Sequence, residues 1–461
     1  MERAAPEPDT GNVAAGPFVR FAAISADGGR GLRRIPKRSI GFRMIPDGLD
    51  ADGLQRLLTR PSVVACLAAL RAEGEETRLV GGCVRDALLG QDAADIDLAT
   101  THRPARTMAL ARAAGLKAVP TGFDHGTVTL VVDGAPVEVT TLREDIETDG
   151  RHAVVRFGRD FGRDAERRDF TINALSLDAD GRLHDLTDGL ADLDAGRVRF
   201  IGDPATRLRE DALRALRFFR FHARFGRGEP NPAGLRAVVA ARSTLDRLSR
   251  ERVRAETLKL LLAPRAVAAI TVMSETGLLA RLLGGVGDLG RLARAASDPG
   301  ASAVARLAAL GVRIVEDAER LRESLRLSKA EHAHLAGYAV ASTDLHGRAA
   351  IEGREVRGLA ATHGPAMLAE VLRALDGEPR PRVDDEARAV LAGLVASRDR
   401  PALPLGGGDL VARGVPPGRA VGRGLAAARA LWLAEGCPTD AAARERLIAH
   451  AVAAAEESVS G

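Results

Sequence analysis

The chain has 461 residues, which at roughly 150 residues per domain suggests about three domains. Lys and Arg number 66 and Asp and Glu number 62, so the formal net charge of +4 excludes a histone-like polycation. Aromatic residues make up only 3% of the chain, which argues against single-strand binding by aromatic stacking. A polyanionic partner stays compatible with the composition if the positive charge clusters.

The cysteines and the apolar runs indicate a cytoplasmic protein. Cys66, Cys83 and Cys437 are scattered and form neither a disulfide framework nor a CxxC metal pattern, which is typical of the reducing cytosol. The longest apolar run, from Val63 to Leu70, is far shorter than the roughly 18 residues of a membrane span. We therefore expect no membrane association.

Residues 1–43 differ in composition from the rest of the chain. They contain eight Lys or Arg against four Asp or Glu, with recurring Gly, Pro and Ser and no apolar period. No signal-peptide core is present. We expect a disordered extension or an over-long start, with Met44 as the true beginning. A basic arm that grips RNA is the alternative.

The following stretch alternates helical and extended patterns. Apolar spacing and turn residues predict a helical segment over 47–72, strands over 78–80 and 96–98, a helix over 103–115, a β-hairpin over 127–132 and 136–141 around Asp133-Gly134, and a strand over 172–177. After Pro204 the spacing is helical to the end, with Gly/Pro joints near 228–233, 263–264, 284–290, 376–382 and 403–417. The pattern predicts an α+β protein whose mixed head precedes an all-helical remainder.

The first feature that carries chemistry is the pair Asp95-Ile-Asp97. In an extended strand, residues i and i+2 point to the same face, so the two carboxylates would project side by side. Such a pair repels unless a cation lies nearby, and carboxylate oxygens suit hard cations such as Mg²⁺. Glu138, between apolar strand neighbours, is either a third metal carboxylate or an exposed strand residue.

A glycine pair precedes these carboxylates in the chain. Gly81-Gly82 follows the strand over 78–80, and a helix is expected just beyond it. Paired glycines allow backbone N–H groups to approach a phosphate, although they are also common in tight turns. Arg85 adds a planar cation that could contact phosphate oxygens.

Three runs of residues carry a family resemblance. They are LVGGCVRDALLGQDAADIDLAT (79–100), RRDFTINAL (167–175) and REDALRALRFFRF (209–221), and RVRAETLKLLL (252–262) extends the likeness. The chain resembles the class II tRNA nucleotidyltransferases from about residue 78 to residue 262. These CCA-adding enzymes and the bacterial poly(A) polymerases form one family within the polymerase-β-like superfamily. The resemblance implies a polymerase-β-like head over 44–190, a helical neck over 191–265, and a helical body and tail over 266–461 that bind tRNA.

The resemblance also implies residue roles. Asp95 and Asp97 would hold the catalytic Mg²⁺ ions, with Glu138 as a further catalytic carboxylate, and Gly82 and Arg85 would contact the triphosphate. The remaining nucleotide contacts fall on six side chains: Arg168, Asp169, Asp211, Arg214, Arg217 and Arg220. Of these, Asp169 would bind the ribose 2′-OH, which distinguishes an NTP from a dNTP.

Base choice is assigned to Asp211 and Arg214. On one ideal helix, Asp211, Arg214 and Arg217 lie within an arc of about 120°, so an acceptor and a donor fork could face one base. The C and A edges offer an amino donor beside a ring acceptor, whereas the U and G edges would mismatch. Arg220 falls about 180° from Asp211, so a structural role is as compatible with its position as nucleotide contact.

The implied function is addition of C, C and A to the tRNA 3′ end from CTP and ATP, without a nucleic-acid template and without an obligate protein partner. The charged segment 142–164 resembles the flexible loop with which CCA-adding enzymes switch from CTP to ATP. A poly(A) polymerase, an A-adding enzyme and a non-catalytic RNA-binding homologue are the alternatives. The arginines of the body, including Arg291, Arg294, Arg306 and Arg313, would permit phosphate contacts with tRNA.

Overall fold

A computed structural model describes residues 45–148 and 153–456. The predicted extension over residues 1–43 lies outside the described residues, and so does the centre of the loop predicted over 142–164. The described residues form a mixed head followed by a mainly helical neck, body and tail.

The head begins with two helices and then alternates strands and helices. In chain order its elements are α1 (Ala51–Leu58), α2 (Pro61–Ala69), β1 (Thr77–Val80), α3 (Gly82–Leu88), β2 (Ile96–Thr100), α4 (Pro104–Ala113), β3 (Lys117–Gly122), β4 (Thr127–Val132), β5 (Ala135–Thr141), β6 (Arg143–Thr148), β7 (Ala153–Phe157), α5 (Phe161–Glu166), β8 (Ser176–Asp178), β9 (Leu183–His184) and α6 (Gly189–Asp194).

Seven of these strands form one sheet in the order β3-β4-β5-β2-β1-β8-β9. Strands β2 and β5 run parallel, and the other neighbouring strands run antiparallel. Leu79, Leu98 and Val139 belong to the main core cluster. Because strand side chains alternate between faces, the residues next to them, Asp97 and Glu138, lie on the opposite face of the sheet.

The neck packs against the head through a cluster of phenylalanines. It consists of α7 (Pro204–Glu210), α8 (Arg214–Phe225), α9 (Pro232–Ala240) and α10 (Arg250–Leu261), and α11 (Ala266–Glu275) follows at the start of the body. Phe200 lies 4.8 Å from Phe170 of the head and 5.5 Å from Phe218 of α8, measured between ring centroids. All three rings are buried. This contact fixes α8 against the segment that carries the RRDFT motif.

The body and tail contain α12 (Leu278–Leu283), α13 (Leu289–Ala296), α14 (Ala303–Gly311), α15 (Val315–Leu325), α16 (Lys329–Leu345), β10 (Ala350–Ile351), α17 (Gly353–His363), α18 (Pro365–Leu375), β11 (Arg382–Val383), α19 (Asp385–Ser397), α20 (Gly407–Val411), α21 (Arg419–Ala434) and α22 (Ala441–Glu456). The last three helices bury Trp432 in a second core cluster. The prediction of a helical remainder is confirmed, with the addition of a short parallel pair formed by β10 and β11.

Most elements predicted for the head are confirmed. Asp133 and Gly134 both have positive φ in the turn between β4 and β5, and Gly115 has a φ of 77° after α4. The strand predicted over 172–177 is wrong in its first half, where Thr171–Asn173 forms a 3₁₀ turn. The domain boundaries at 190 and 265 stay predictions.

Candidate active site

Two acidic side chains meet across the parallel strands of the head. Asp97 on β2 is in register with Glu138 on β5, and Asp95 immediately precedes β2. Burial raises the pKa of Asp97, the negative charges of Glu138 and Asp95 add to this, and Arg168 opposes them only in part. Glu138 is exposed, as the alternative interpretation expects, but it also lies beside Asp97.

These carboxylates fit a hard divalent cation. Three acidic groups interact across β2 and β5, and the opposing charge on Asp97 comes from Arg168. An all-oxygen donor set matches the preference of Mg²⁺, and a cation would relieve the repulsion that raises the pKa of Asp97.

The glycine pair lies at the start of α3, which begins at Gly82. Gly81 has a φ of 73°, and a Cβ at this position would lie 2.8 Å from Nη1 of Arg168. The backbone conformation therefore favours glycine at 81, and a larger residue there would displace the guanidinium of Arg168. The assignment of Gly82 to the triphosphate stays a prediction.

Arg168 is held in place by an acidic residue that sequence reasoning missed. Asp164 of α5 is buried, and its Oδ2 accepts from Nε and Nη2 of Arg168 at 3.1 and 3.0 Å. Its Oδ1 accepts from Nε of Arg167 at 3.0 Å. Burial alone would raise the pKa of Asp164, but the two arginines outweigh it and hold the pKa below its ordinary value. The i, i+3 and i, i+4 spacing was the available signal.

Asp169 lies deep between the head and the neck. Its Oδ2 accepts from Nε and Nη2 of Arg217 at 2.7 and 2.6 Å. Its Oδ1 accepts from the Phe170 N–H at 2.9 Å and from Nδ2 of Asn173 at 3.0 Å. Burial would raise the pKa of Asp169, but these partners outweigh it and lower the pKa. The predicted ribose acceptor is thus already bound on both oxygens.

Arg85 is buried, with 5% of its surface exposed. Its guanidinium donates to Asp86 at 2.9 and 2.7 Å and to Oδ1 of Asn173. It also stacks 4.2 Å from the ring centroid of Phe225. The structure therefore places Arg85 in the protein interior, where it supports Asn173. Its direct contact with triphosphate stays a prediction.

The single helix proposed for the base-reading residues is wrong. Asp211 follows the last residue of α7 with a φ of −150°, and α8 begins only at Arg214. The Asp211 carboxylate accepts from the Leu213 N–H at 3.0 Å, and such a local bond competes with helix formation. The 120° arc therefore does not describe how Asp211 and Arg214 are arranged.

Both residues nevertheless lie where the neck meets the head. Nη2 of Arg252 donates to Oδ2 of Asp211 at 2.6 Å. Arg214 donates to Oε2 of Glu210 at 2.6 Å and to the Arg167 carbonyl at 3.0 Å. The roles of Asp211 and Arg214 in reading a base stay predictions.

Arg220 points into the protein from α8. Its Nε donates to Oε2 of the buried Glu256 on α10 at 2.5 Å. Its guanidinium lies 4.2 Å from the ring centroid of Phe221. The geometry favours the structural role that the sequence left open for Arg220. Glu256 belongs to the recognised run 252–262, but nothing in the spacing indicated its partners.

The arginines expected to permit tRNA contacts in the body have intramolecular partners. Arg291 and Arg294 both donate to Glu378, at 2.9 and 2.6 Å. Arg306 is buried and donates to the Leu261 carbonyl at 2.9 Å. Arg313 pairs with Asp288. These four residues therefore stabilise the body.

A second acidic group lies away from β2 and β5. Within the described residues, Glu76, Asp178 and His184 bring their ligand atoms within 4.8 Å of one another. Nε2 of His184 lies 2.9 Å from Oδ2 of Asp178, and Nε of Arg78 donates to Glu76 at 2.6 Å. These bonds account for the cluster without a metal.

Two sequence families match the chain. The family described as "Poly A polymerase head domain" matches residues 77–199, and the one described as "Probable RNA and SrmB- binding site of polymerase A" matches residues 230–286. The first covers the carboxylates, the glycine pair and the RRDFT motif. The second covers α10 in the neck.

Curated relatives fall into two groups. The mitochondrial CCA tRNA nucleotidyltransferase 1 of Danio rerio is 41% identical over 206 residues, which is 44% of this chain and 48% of the relative. The chain thus spans about half the length of the first curated relatives it matches. The CCA-adding enzyme of Limosilactobacillus fermentum is 32% identical over 365 residues, which is 78% of this chain and 89% of the relative.

Solved structures share the architecture. The CCA-adding enzyme of Bacillus stearothermophilus, solved in complex with CTP, aligns with a TM-score of 0.65 and 28% identity over 83% of this chain and 93% of that one. The Thermotoga maritima CCA-adding enzyme complexed with tRNA_CCA has a TM-score of 0.64, 19% identity, and coverage of 87% and 98%. At that identity, the second likeness supports the fold alone.

The head has the polymerase-β-like fold of nucleotidyltransferases, with a mixed sheet and acidic residues on one face. The chain belongs to the family of CCA-adding enzymes and bacterial poly(A) polymerases. This family implies use of a divalent metal ion. In the described part of the chain, no helix is long and apolar enough to cross a membrane. Several relatives are mitochondrial, so the cytoplasmic location stays a prediction.

The raised pKa of Asp97 predicts a stabilising substitution. Since the folded state binds this proton more tightly than the unfolded chain, stability falls as the pH rises from the ordinary aspartate pKa, about 4, through the raised pKa of the folded state. That loss persists at neutral pH. Asp97→Asn should therefore raise the melting temperature at pH 7 in EDTA, and the difference should disappear at acidic pH.

Thermal melting with and without Mg²⁺ measures this effect. Mg²⁺ at 100 times its Kd should stabilise the parent by about 2.7 kcal/mol and the variant much less. Asp124→Asn, at an exposed site, is the control and should behave like the parent. If Asp97→Asn and Asp124→Asn melted alike under all conditions, the electrostatic account of Asp97 would be wrong.

Proposed function

We propose that the protein adds C, C and A to the 3′ end of tRNA, using CTP and ATP without a nucleic-acid template. The main support is the pairing of Asp97 with Glu138 beside Gly81 and Arg168. This arrangement occurs in a chain that aligns with a CCA-adding enzyme over 78% of its length. CTP as a substrate is supported by the B. stearothermophilus relative, whose structure contains it.

The acidic side chains account for the reaction centre. Asp95 and Asp97 would hold Mg²⁺, which as a Lewis acid activates an attacking hydroxyl and neutralises phosphate charge. Glu138 would act as a further carboxylate next to Asp97. Arg168, fixed by Asp164, presents a positive charge to the same face of the sheet, where it would oppose the charge of the triphosphate.

Residues where the head meets the neck would select the nucleotide. Asp169 would accept from the ribose 2′-OH, and Arg217 and Asn173 hold its carboxylate for that contact. Asp211 can only accept hydrogen bonds when ionised, and Arg214 can only donate. Cytosine and adenine offer an amino donor where uracil and guanine offer a carbonyl acceptor, so an acceptor at this place favours CTP and ATP.

The first experiment uses purified protein, Mg²⁺ and tRNA transcripts that end at the discriminator base, at C and at CC. Each transcript receives CTP, ATP or both, and products are resolved at single-nucleotide length. Addition of CC followed by one A supports the proposal. Addition of A only to the CC-ending transcript would assign an A-adding enzyme, and long A tails on many RNAs would assign a poly(A) polymerase. No incorporation from any mixture would leave an RNA-binding homologue.

Asp97→Ala should abolish incorporation while tRNA binding changes less than about twofold. The carboxylate is needed for the cation, whereas tRNA affinity depends on phosphate contacts elsewhere. Gel incorporation assays and filter binding measure the two properties on the same preparation. Asp124→Ala serves as the exposed control. Parallel loss of incorporation and tRNA binding would contradict the metal role.

Arg214→Ala should lower the preference for CTP and ATP over UTP and GTP by about tenfold or more, because one hydrogen-bonding partner of the base is lost. Single-nucleotide incorporation with each NTP measures the ratio, and filter binding checks that tRNA affinity is kept. Arg209→Ala, at an exposed position of α7, is the matched control. An unchanged ratio would remove Arg214 from base selection.

A further inference from the structure

Helix α10 carries two charged side chains, one turn apart, that meet the predicted nucleotide residues. Arg252 donates to Asp211 at 2.6 Å, and Glu256 accepts from Arg220 at 2.5 Å. Oε1 of Glu256 also lies 3.7 Å from Nη1 of Arg217. Residues i and i+4 of a helix lie on the same face, so one face of α10 contacts both groups.

Arg252 determines the orientation of Asp211. Because Asp211 lies between α7 and α8, no regular helix fixes the direction of its side chain. One carboxylate oxygen accepts from the Leu213 N–H, and the other accepts from Arg252. The Asp211 side chain is 23% exposed and that of Arg252 is 35% exposed, so the pair is accessible to solvent. Without Arg252, the carboxylate loses the partner that aims its second oxygen.

Glu256 acts on a different part of the site. Its side chain is 8% exposed, and it is the common acidic partner of Arg217 and Arg220. Arg217 in turn holds Asp169 through two nitrogen atoms. If the charge of Glu256 is removed, Arg220 loses the acceptor of its Nε, and Arg217 keeps Asp169 but loses its second acidic neighbour. The main consequence falls on the ribose acceptor, because Arg217 hydrogen-bonds Asp169 and acts on Asp211 only through its charge.

We propose that α10 positions the nucleotide-selecting side chains through two separate links. Arg252 governs base choice through Asp211, and Glu256 governs sugar recognition through Arg217 and Asp169. Both residues would act through these partners, so both are positioning residues. This inference rests on the proposed function, because it assumes that the candidate active site selects nucleotides.

The test compares Arg252→Met, which keeps the length of the side chain, with Glu256→Gln, which keeps its shape. Incorporation of CTP, UTP and dCTP into tRNA gives a kcat/KM for each nucleotide. Arg252→Met should reduce the CTP/UTP ratio about tenfold and leave the CTP/dCTP ratio unchanged. Glu256→Gln should raise the KM for CTP and reduce the CTP/dCTP ratio about tenfold, with the CTP/UTP ratio unchanged.

Conservative variants and a matched control separate positioning from general damage. Arg252→Lys and Glu256→Asp keep the charges and should restore the corresponding ratio at least in part. Lys259→Met, at an exposed position of the same helix, should match the parent in both ratios. Thermal melting identifies any variant that does not fold, in which case the conservative variant of that position decides the result.

The possible failures are distinguishable. A parent that incorporates no nucleotide overturns the proposed function and this inference with it. An active parent whose variants lose kcat equally for all nucleotides, with both ratios unchanged, overturns the inference alone and leaves the proposed function intact. A change of both ratios in both variants would also overturn it, because the two links would not be separate.

Discussion

The arrangement of the candidate site depends on buried and half-buried charges of alternating sign that join the head to the neck. Asp169 of the head binds Arg217 of α8, and Arg217 lies against Glu256 of α10, which also binds Arg220. A charge removed from water is costly unless a partner and hydrogen bonds compensate it. None of these residues can therefore move far without uncovering another. The RRDFT segment, α8 and α10 are consequently linked into one unit. The phenylalanine cluster adds apolar contacts between the RRDFT segment and α8.

The acidic residues on β2 and β5 lack such compensation. Asp95, Asp97 and Glu138 interact as like charges, and the pKa of Asp97 is raised by burial and by its acidic neighbours. Arg168, whose charge opposes this shift, is itself bound to Asp164. The charges on the neck side of the site are thus paired, whereas the sheet side carries a surplus of negative charge. Such a surplus destabilises the fold unless a proton or a cation compensates it, and this is the physical basis for placing the metal there.

The sequence predicts those features that depend on neighbouring residues. The hairpin around Asp133-Gly134 and the helix closed by Gly115 follow from local turn chemistry, and the structure confirms both. The pairing of Asp97 with Glu138 depends on the parallel register of β2 and β5, which the sequence analysis did not predict.

Features that depend on distant partners were not predictable. The run REDALRALRFFRF has a continuous helical spacing, yet the chain leaves the helix at Asp211, whose partner Arg252 lies far along the sequence. Arg85 follows a glycine pair as a phosphate ligand would, but it is buried against Asn173 and Phe225. The arginines of the body look available until Glu378 binds two of them. Composition shows the charges, whereas only the tertiary structure shows which of them are already paired.

The division between buried and accessible groups also matches what an enzyme of the proposed function must do. CTP and ATP share the same ribose, so the acceptor for its 2′-OH can be rigid, and Asp169 lies among buried partners. Their bases differ in size, so the group that recognises both must adjust its position. The carboxylate of Asp211 is more exposed than that of Asp169, at 23% against 8% of the side chain, and Asp211 lies outside regular helix. Ion pairs that retain contact with water rearrange at lower cost than buried ones. Under the proposed function, the adjustable contacts would serve the bases, which differ, and the fixed contacts would serve the ribose, which is the same.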